Sequence, residues 1–197
     1  MIFVKVCGLR TRAHVEVAID EQADAIGFVL TDSVRKITAA DARELADVVG
    51  ERAMTVGVFR NAPLDEVEAL ARDAGVSAVQ LHGQYSEDDV ARLSGAGMTV
   101  IRAVPFTAPA DTLGADLLLV DAPRAGSGEE WDYGVMSERR IPGRWLLAGG
   151  LTPLNVEAAI ASASPWGVDV SSGIEVAPGV KDERLIRDFI RAARSAR

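Results

Sequence analysis

Short runs of Val, Ile, Leu and Phe alternate along the chain with longer segments in which apolar residues recur at helical spacing. The first pattern fits a strand buried on both faces, the second an amphipathic helix laid over it, so the alternation predicts βα units around a parallel sheet. The runs place eight strands, near residues 2–6, 25–29, 55–59, 78–80, 99–103, 117–120, 145–148 and 167–170. Helix starts are expected at Thr11, at Thr38 with Asp41, at Ala62-Pro63, at Ser86 with Asp89, and at Thr152-Pro153. In each case a side chain that can accept from an early helical N–H, or a proline suited to the first turn, precedes the periodic stretch. A last helix over 182–193 carries Leu185, Ile186, Phe189 and Ile190 on one face with charges opposite. The fifth and sixth connections are weaker: 106–113 follows Pro105 and holds Pro109, and 122–130 is rich in Gly, Ser and charge, so any helix there is short.

Eight such units without a linker or composition break predict a single (β/α)8 TIM barrel over residues 1–197, with short loops. The rival, an open doubly wound sheet, calls for a Gly-rich phosphate turn after the first strand. The residues there are Cys7-Gly8-Leu9-Arg10, which lack that spacing.

Composition narrows the function. The chain has 197 residues, 48% of them hydrophobic, enough for a core without disulfides or structural metal. With 21 Lys+Arg against 29 Asp+Glu, the net charge is -8, which disfavours nucleic acid and anionic membranes as partners. The N-terminal stretch lacks the pattern of a secretion signal, and no apolar run approaches the roughly 20 residues of a spanning helix, so a cytoplasmic protein is expected. One Cys and two His leave no cluster with metal-ligand spacing, so no metal is expected.

In such barrels the site forms at the carboxyl ends of the strands. Gly149-Gly150 after the seventh run and Ser171-Ser172-Gly173 after the eighth can offer backbone N–H groups and hydroxyls to a phosphate; the plainer reading is tight turns. Cys7 ends the first run, and two readings are open: a small buried hydrophobe, or one half of an acid-base pair with Asp121, which ends the sixth. Asp121 could alternatively cap its own loop. Arg35 can clamp a carboxylate with its planar fork or stand as a solvated charge, and His82 can donate to an anionic ligand or lie on the surface. His14, inside the first helix, reads as scaffold.

Taken together, Lys5-Val6-Cys7-Gly8-Leu9, Asp24-Ala25-Ile26-Gly27-Phe28, Val56-Gly57-Val58-Phe59, Val79-Gln80-Leu81-His82-Gly83, Leu119-Val120-Asp121-Ala122, Leu147-Ala148-Gly149-Gly150-Leu151-Thr152 and the stretch from Gly167 to Glu175 with Pro178 to Asp182 resemble the phosphoribosylanthranilate isomerases of tryptophan biosynthesis. The resemblance implies an isomerase that converts N-(5-phosphoribosyl)anthranilate to its 1-deoxyribulose form by an Amadori rearrangement without cofactor. It implies Asp121 as general acid toward the ring oxygen and Cys7 as the base at sugar C2. It further implies Arg35 at the anthranilate group and Gly149, Gly150, Ser171, Ser172 and Gly173 around phosphate; His82, from its place after the fourth run, and Asp169, within the last matched segment, are further substrate-binding candidates. The partner is then a small molecule, and a monomer is the expected state.

Two segments depart from the family. Ser33-Val34-Arg35 stands where Ser-Pro-Arg is common, and Trp131-Asp132-Tyr133, preceded by Gly126-Ser127-Gly128, stands for Phe-Asp-Trp. Other readings are a sister isomerase of histidine biosynthesis, which resembles a barrel with Asp at the place of Cys7, and a metal-dependent ribulose-phosphate epimerase. A barrel that only binds a phosphorylated ligand is the third.

Overall fold

The computed structural model describes residues 1–122 and 132–196. Eight parallel strands close into a barrel in sequence order, with β1 (Phe3–Cys7) hydrogen-bonded both to β2 (Ala25–Val29) and to β8 (Gly167–Val170). Between them run β3 (Met54–Arg60), β4 (Ala78–His82), β5 (Thr99–Pro105), β6 (Leu117–Asp121) and β7 (Trp145–Leu147). All eight expected strands are present, with ends within two residues of those read from the apolar runs.

Six α-helices lie among the described residues: α1 (Arg12–Asp20), α2 (Ala39–Val49), α3 (Leu64–Ala74), α4 (Glu87–Gly95), α5 (Val156–Ala163) and α6 (Glu183–Ser195). Local chemistry explains most of their starts. Thr38 and Asp41 form a reciprocal capping box at α2, Ser86 and Asp89 another at α4, and Thr11 and Asp182 cap α1 and α6. The start expected at Thr152-Pro153 falls instead at Val156. There the Asn155 side chain accepts from the Thr152 N–H at 2.7 Å and donates to Gly150 O at 2.9 Å, so a turn forms before the helix can begin.

The fifth connection contains no helix. Its Phe106 and Ala108 carbonyls instead accept from the Arg139 guanidinium, which reaches back from a 3-10 turn at Tyr133–Glu138. Residues 123–131, with Gly126, Ser127, Gly128 and Trp131 and most of the short helix considered for 122–130, lie outside the described residues. One element was not expected: a small hairpin of β9 (Glu175–Ala177) and β10 (Val180–Lys181) between β8 and α6.

Alternation along the strands sorts the core into two parts. Outward residues such as Val4, Val6, Ile26 and Phe28 pack under the helices, while Ala25, Val56, Ala78, Ile101, Leu117 and Leu146 fill the barrel. No helix among the described residues is long and apolar enough to cross a membrane.

Candidate active site

The inward positions of the strands lead to the site. On β1 the residues alternating with the outward Val4 and Val6 are Lys5 and Cys7; on β4, alternating with Val79 and Leu81, they are Gln80 and His82. Leu119 and Asp121 follow on β6, with Asp169 and Ser171 on and just beyond β8. At the carboxyl end these side chains open into a cavity of about 280 Å³, together with Thr31, Asp32, Ser33 and Arg35 after β2, Arg60 on β3, and Gly149, Gly150, Leu151 and Ser172. Cys7, Asp121, Arg35, His82, Asp169, Gly149, Gly150, Ser171 and Ser172 are therefore all brought together as expected from their places at strand ends. Gly173 does not line the cavity; it packs behind it.

That packing shapes the loops. A Cβ at Gly173 would lie 1.8 Å from the Leu151 carbonyl oxygen, so only glycine lets the loop after β8 meet the loop after β7. Gly149 has φ +86°, and a Cβ there would lie 2.5 Å from the Ala122 N and 2.8 Å from Asp121 Oδ1. The Gly149 carbonyl is tied to the Tyr133 hydroxyl at 2.9 Å, a use of that aromatic that the sequence does not reveal. Among the described residues, neither the Gly149 nor the Gly150 N–H donates to a protein acceptor. Ser171 Oγ donates to the Cys7 carbonyl at 3.2 Å, joining this cradle to the end of β1.

Beneath the cavity lies a buried ion pair. Lys5 and Asp169 face each other in the β1–β8 register, and Lys5 Nζ donates to Asp169 Oδ1 at 2.8 Å with no Lys5 surface exposed. Burial lowers an ammonium's pKa, but Asp169 and Cys7 beside it outweigh this and hold Lys5 above its ordinary value. Burial also pushes the Cys7 thiol up, by more than Lys5 and Lys181 draw it down. Lys5, two residues before Cys7, draws the thiol down, yet desolvation prevails.

Asp121 Oδ1 accepts from the Ala122 N–H at 2.8 Å, which fixes the carboxylate at the rim beside Gly149. His82 is held at about 4 by burial, then by the positive charges of Lys5 and Arg60, so above that pH the ring is neutral. Its Nε2 lies 2.5 Å from Gln80 Nε2; a neutral ring accepting there from the amide carries its proton on Nδ1. Arg35 is engaged by the protein itself: Nε and Nη2 donate to the two carboxylate oxygens of Glu175 at 2.7 and 2.9 Å. Glu175 and Lys181 sit beside the site but were not singled out from the sequence: Glu175 meets Arg35 across 140 residues, and Lys181 meets Glu175 and Ser171 only once the hairpin has formed.

The family model for N-(5'phosphoribosyl)anthranilate (PRA) isomerase matches residues 4–192. The N-(5'-phosphoribosyl)anthranilate isomerase of Roseiflexus sp. is 42% identical over 216 residues, covering 100% of this chain and 99% of the relative. That of Streptococcus mutans is 38% identical over 196 residues, covering 98% of this chain and all of the relative. Among solved structures, TrpF from Jonesia denitrificans superposes with a TM-score of 0.90 at 46% identity, covering 100% of this chain and 98% of the other. A phosphoribosyl anthranilate isomerase in complex with reduced 1-(o-carboxyphenylamino)-1-deoxyribulose 5-phosphate gives 0.83 at 31% identity, covering 98% and 99%. With the barrel, the cavity at its carboxyl end and full-length similarity in agreement, the chain belongs to the N-(5'-phosphoribosyl)anthranilate isomerase family.

Proposed function

We propose that the cavity isomerises N-(5'-phosphoribosyl)anthranilate by general acid–base catalysis, with Asp121 as acid and Cys7 as base, as a step of tryptophan biosynthesis. The observation that carries this reading is the convergence of a thiol and a carboxylate from opposite parts of the barrel on one cavity that also holds an arginine and two glycine-supported loops. Protonation of the ribose ring oxygen by Asp121 opens the ring and leaves an iminium at C1. Cys7, as thiolate, takes the C2 proton, the iminium accepts the electron pair, and the enolamine tautomerises to the 2-keto product. No electrons leave the substrate, so the scheme calls on no external oxidant or reductant.

The groups lining the cavity suit both anionic groups of the substrate. The phosphate suits the N–H groups of Gly149 and Gly150 with the hydroxyls of Ser171 and Ser172, while Gly173 keeps the two loops in contact. The anthranilate carboxylate suits Arg35. His82, neutral, contributes a ring N–H rather than a charge, and Asp169 acts from beneath through Lys5. One catalytic domain over 1–197, working as a monomer in the cytoplasm, belongs to the same proposal.

The direct test is the fall in fluorescence of the phosphoribosyl anthranilate on addition of the purified chain, with chelator present and no nucleotide. Asp121→Asn and Cys7→Ala are each expected to lower kcat on the order of 10²-fold or more, the usual contribution of a positioned acid or base. Near-normal rates in both variants would leave a barrel that binds its ligand without transforming it.

A further inference from the structure

The Arg35 fork is already half occupied. Glu175, at the start of the β9–β10 hairpin, takes two of the five guanidinium donors along one edge, leaving three N–H groups on a residue that lines the cavity. The same carboxylate accepts from Lys181 Nζ at 2.8 Å and from the Gly179 N–H at 3.1 Å. Lys181 in turn donates to the Ser171 carbonyl at 2.8 Å and to Ser171 Oγ at 3.2 Å. Arg10 bonds both Gly179 O and Val34 O, tying the hairpin to the loop that carries Arg35. A continuous chain of polar and charged contacts therefore joins the arginine to the serine turn, both of which line the cavity.

We infer that Glu175 is a positioning residue for substrate recognition: it aims the Arg35 fork so that its free edge meets the substrate carboxylate, and through Lys181 it keeps that clamp in register with the Ser171 turn. This rests on the reading of Arg35 as the carboxylate clamp. Three physical points support it. Glu175 is not a loose surface partner, since only 5% of its side chain is exposed and four donors converge on it. Burial raises a carboxyl's pKa, yet Arg35, Lys181 and the Gly179 N–H win and bring Glu175 down to about 2, so the contact is charged throughout the working range. An arginine held along one edge also loses less rotamer freedom on binding a second carboxylate than a free one would.

The experiment compares Glu175→Gln, Glu175→Asp and Arg35→Ala in steady-state kinetics, with anthranilate and inorganic phosphate as separate fragment inhibitors. In Glu175→Gln, KM should rise on the order of tenfold while kcat changes by less than about threefold, because a misaimed clamp weakens ground and transition states alike. Anthranilate inhibition should weaken by a similar factor, and inhibition by phosphate by less. Glu175→Asp, charged but one methylene shorter, should fall between, and it decides the matter if the glutamine variant does not fold. An unchanged KM in Glu175→Gln beside a raised KM in Arg35→Ala overturns the inference. A lowered KM overturns it too, showing Glu175 to be a competitor of the substrate. Equal weakening of both fragments, or a loss in kcat alone, means general loosening and also overturns it. If Arg35→Ala itself leaves KM unchanged, it is the clamp reading that fails.

Discussion

Removing an ammonium from water costs several kcal/mol unless partners replace its hydration, and Lys5 replaces it with Asp169 at 2.8 Å and the Cys7 sulfur. Lys5→Met keeps the volume but strands a buried carboxylate, so it should destabilise the fold by about 3–5 kcal/mol in urea unfolding. Lys5→Met with Asp169→Asn should recover much of that loss. Neither variant should recover the catalytic pH profile: with the nearest cation gone, the Cys7 thiol rises further, and the acidic limb of kcat/KM moves to higher pH. The pH dependence of iodoacetamide alkylation of Cys7 gives an independent reading, and an unmoved limb in both measurements would confine Lys5 to a structural role. The sign for stability follows from linkage. Lys5 in the folded state titrates above its ordinary 10.5, so its stabilising contribution is present below that pH and is lost as pH rises through the folded value. Cys7, Asp121 and Arg35 were legible in the sequence because each ends a readable apolar run or stands just beyond one. The sign of the thiol's shift was not legible, since burial is set by seven other strands.

At the level of elements, what could be read was what is decided within about four residues. The capping boxes at Thr38 and Ser86 are local, and the helices begin where those side chains say they do. The β9–β10 hairpin is closed by its own short ladder and by Glu175 accepting from Gly179 and Lys181, but its docking depends on Arg35, 140 residues away. The turn before α5 is an exception, local yet not read: Thr152 and Pro153 look like a helix start, but Asn155, three residues on, captures the Thr152 N–H first. Glycines divide in the same way. Gly173 reads as a phosphate ligand in sequence; the structure adds that it stands where two loops meet, with no room for a Cβ. Gly173→Ala should therefore displace the Ser171–Ser172 turn, raising KM and weakening inhibition by inorganic phosphate several-fold with little change at Cys7. Gly95, the last residue of α4, would meet nothing within 4 Å, so Gly95→Ala is the control and should stabilise by about 0.4–1 kcal/mol without moving KM. A normal phosphate Ki in Gly173→Ala would show that the loops are not held by that contact.

The barrel as a whole was legible because its demand on sequence is global and repetitive: every strand is a short, mainly apolar run, interrupted on β1, β4 and β8 by the inward Lys5, Gln80 and Asp169, and eight such runs leave few alternatives. How the ring is sealed is written less plainly. β1 and β8 pair at the seam, and α6 lies across α1, α5 and β1 with Ile186, Phe189, Ile190 and Ala193 buried. Arg194 then fastens the end of the chain to its beginning, donating to the Ile2 and Gln22 carbonyls and to Asp24 Oδ2. A helix on the outside of the seam contributes to stability without touching the cavity, so the two properties should separate. Phe189 has no exposed surface, and Phe189→Ala should cost about 3–5 kcal/mol, the usual sum of lost transfer energy and residual cavity for a buried phenylalanine. In urea the midpoint should fall with the slope unchanged, because the surface exposed on unfolding is nearly the same. KM and kcat measured well below that midpoint should stay within about twofold of wild type, since they report the cavity and not the seam. A loss under about 1 kcal/mol would mean that α6 docks loosely and the β1–β8 ladder alone closes the barrel. A normal stability loss accompanied by a raised KM would mean that the seam and the Ser171 turn, which hangs from β8, move as one body.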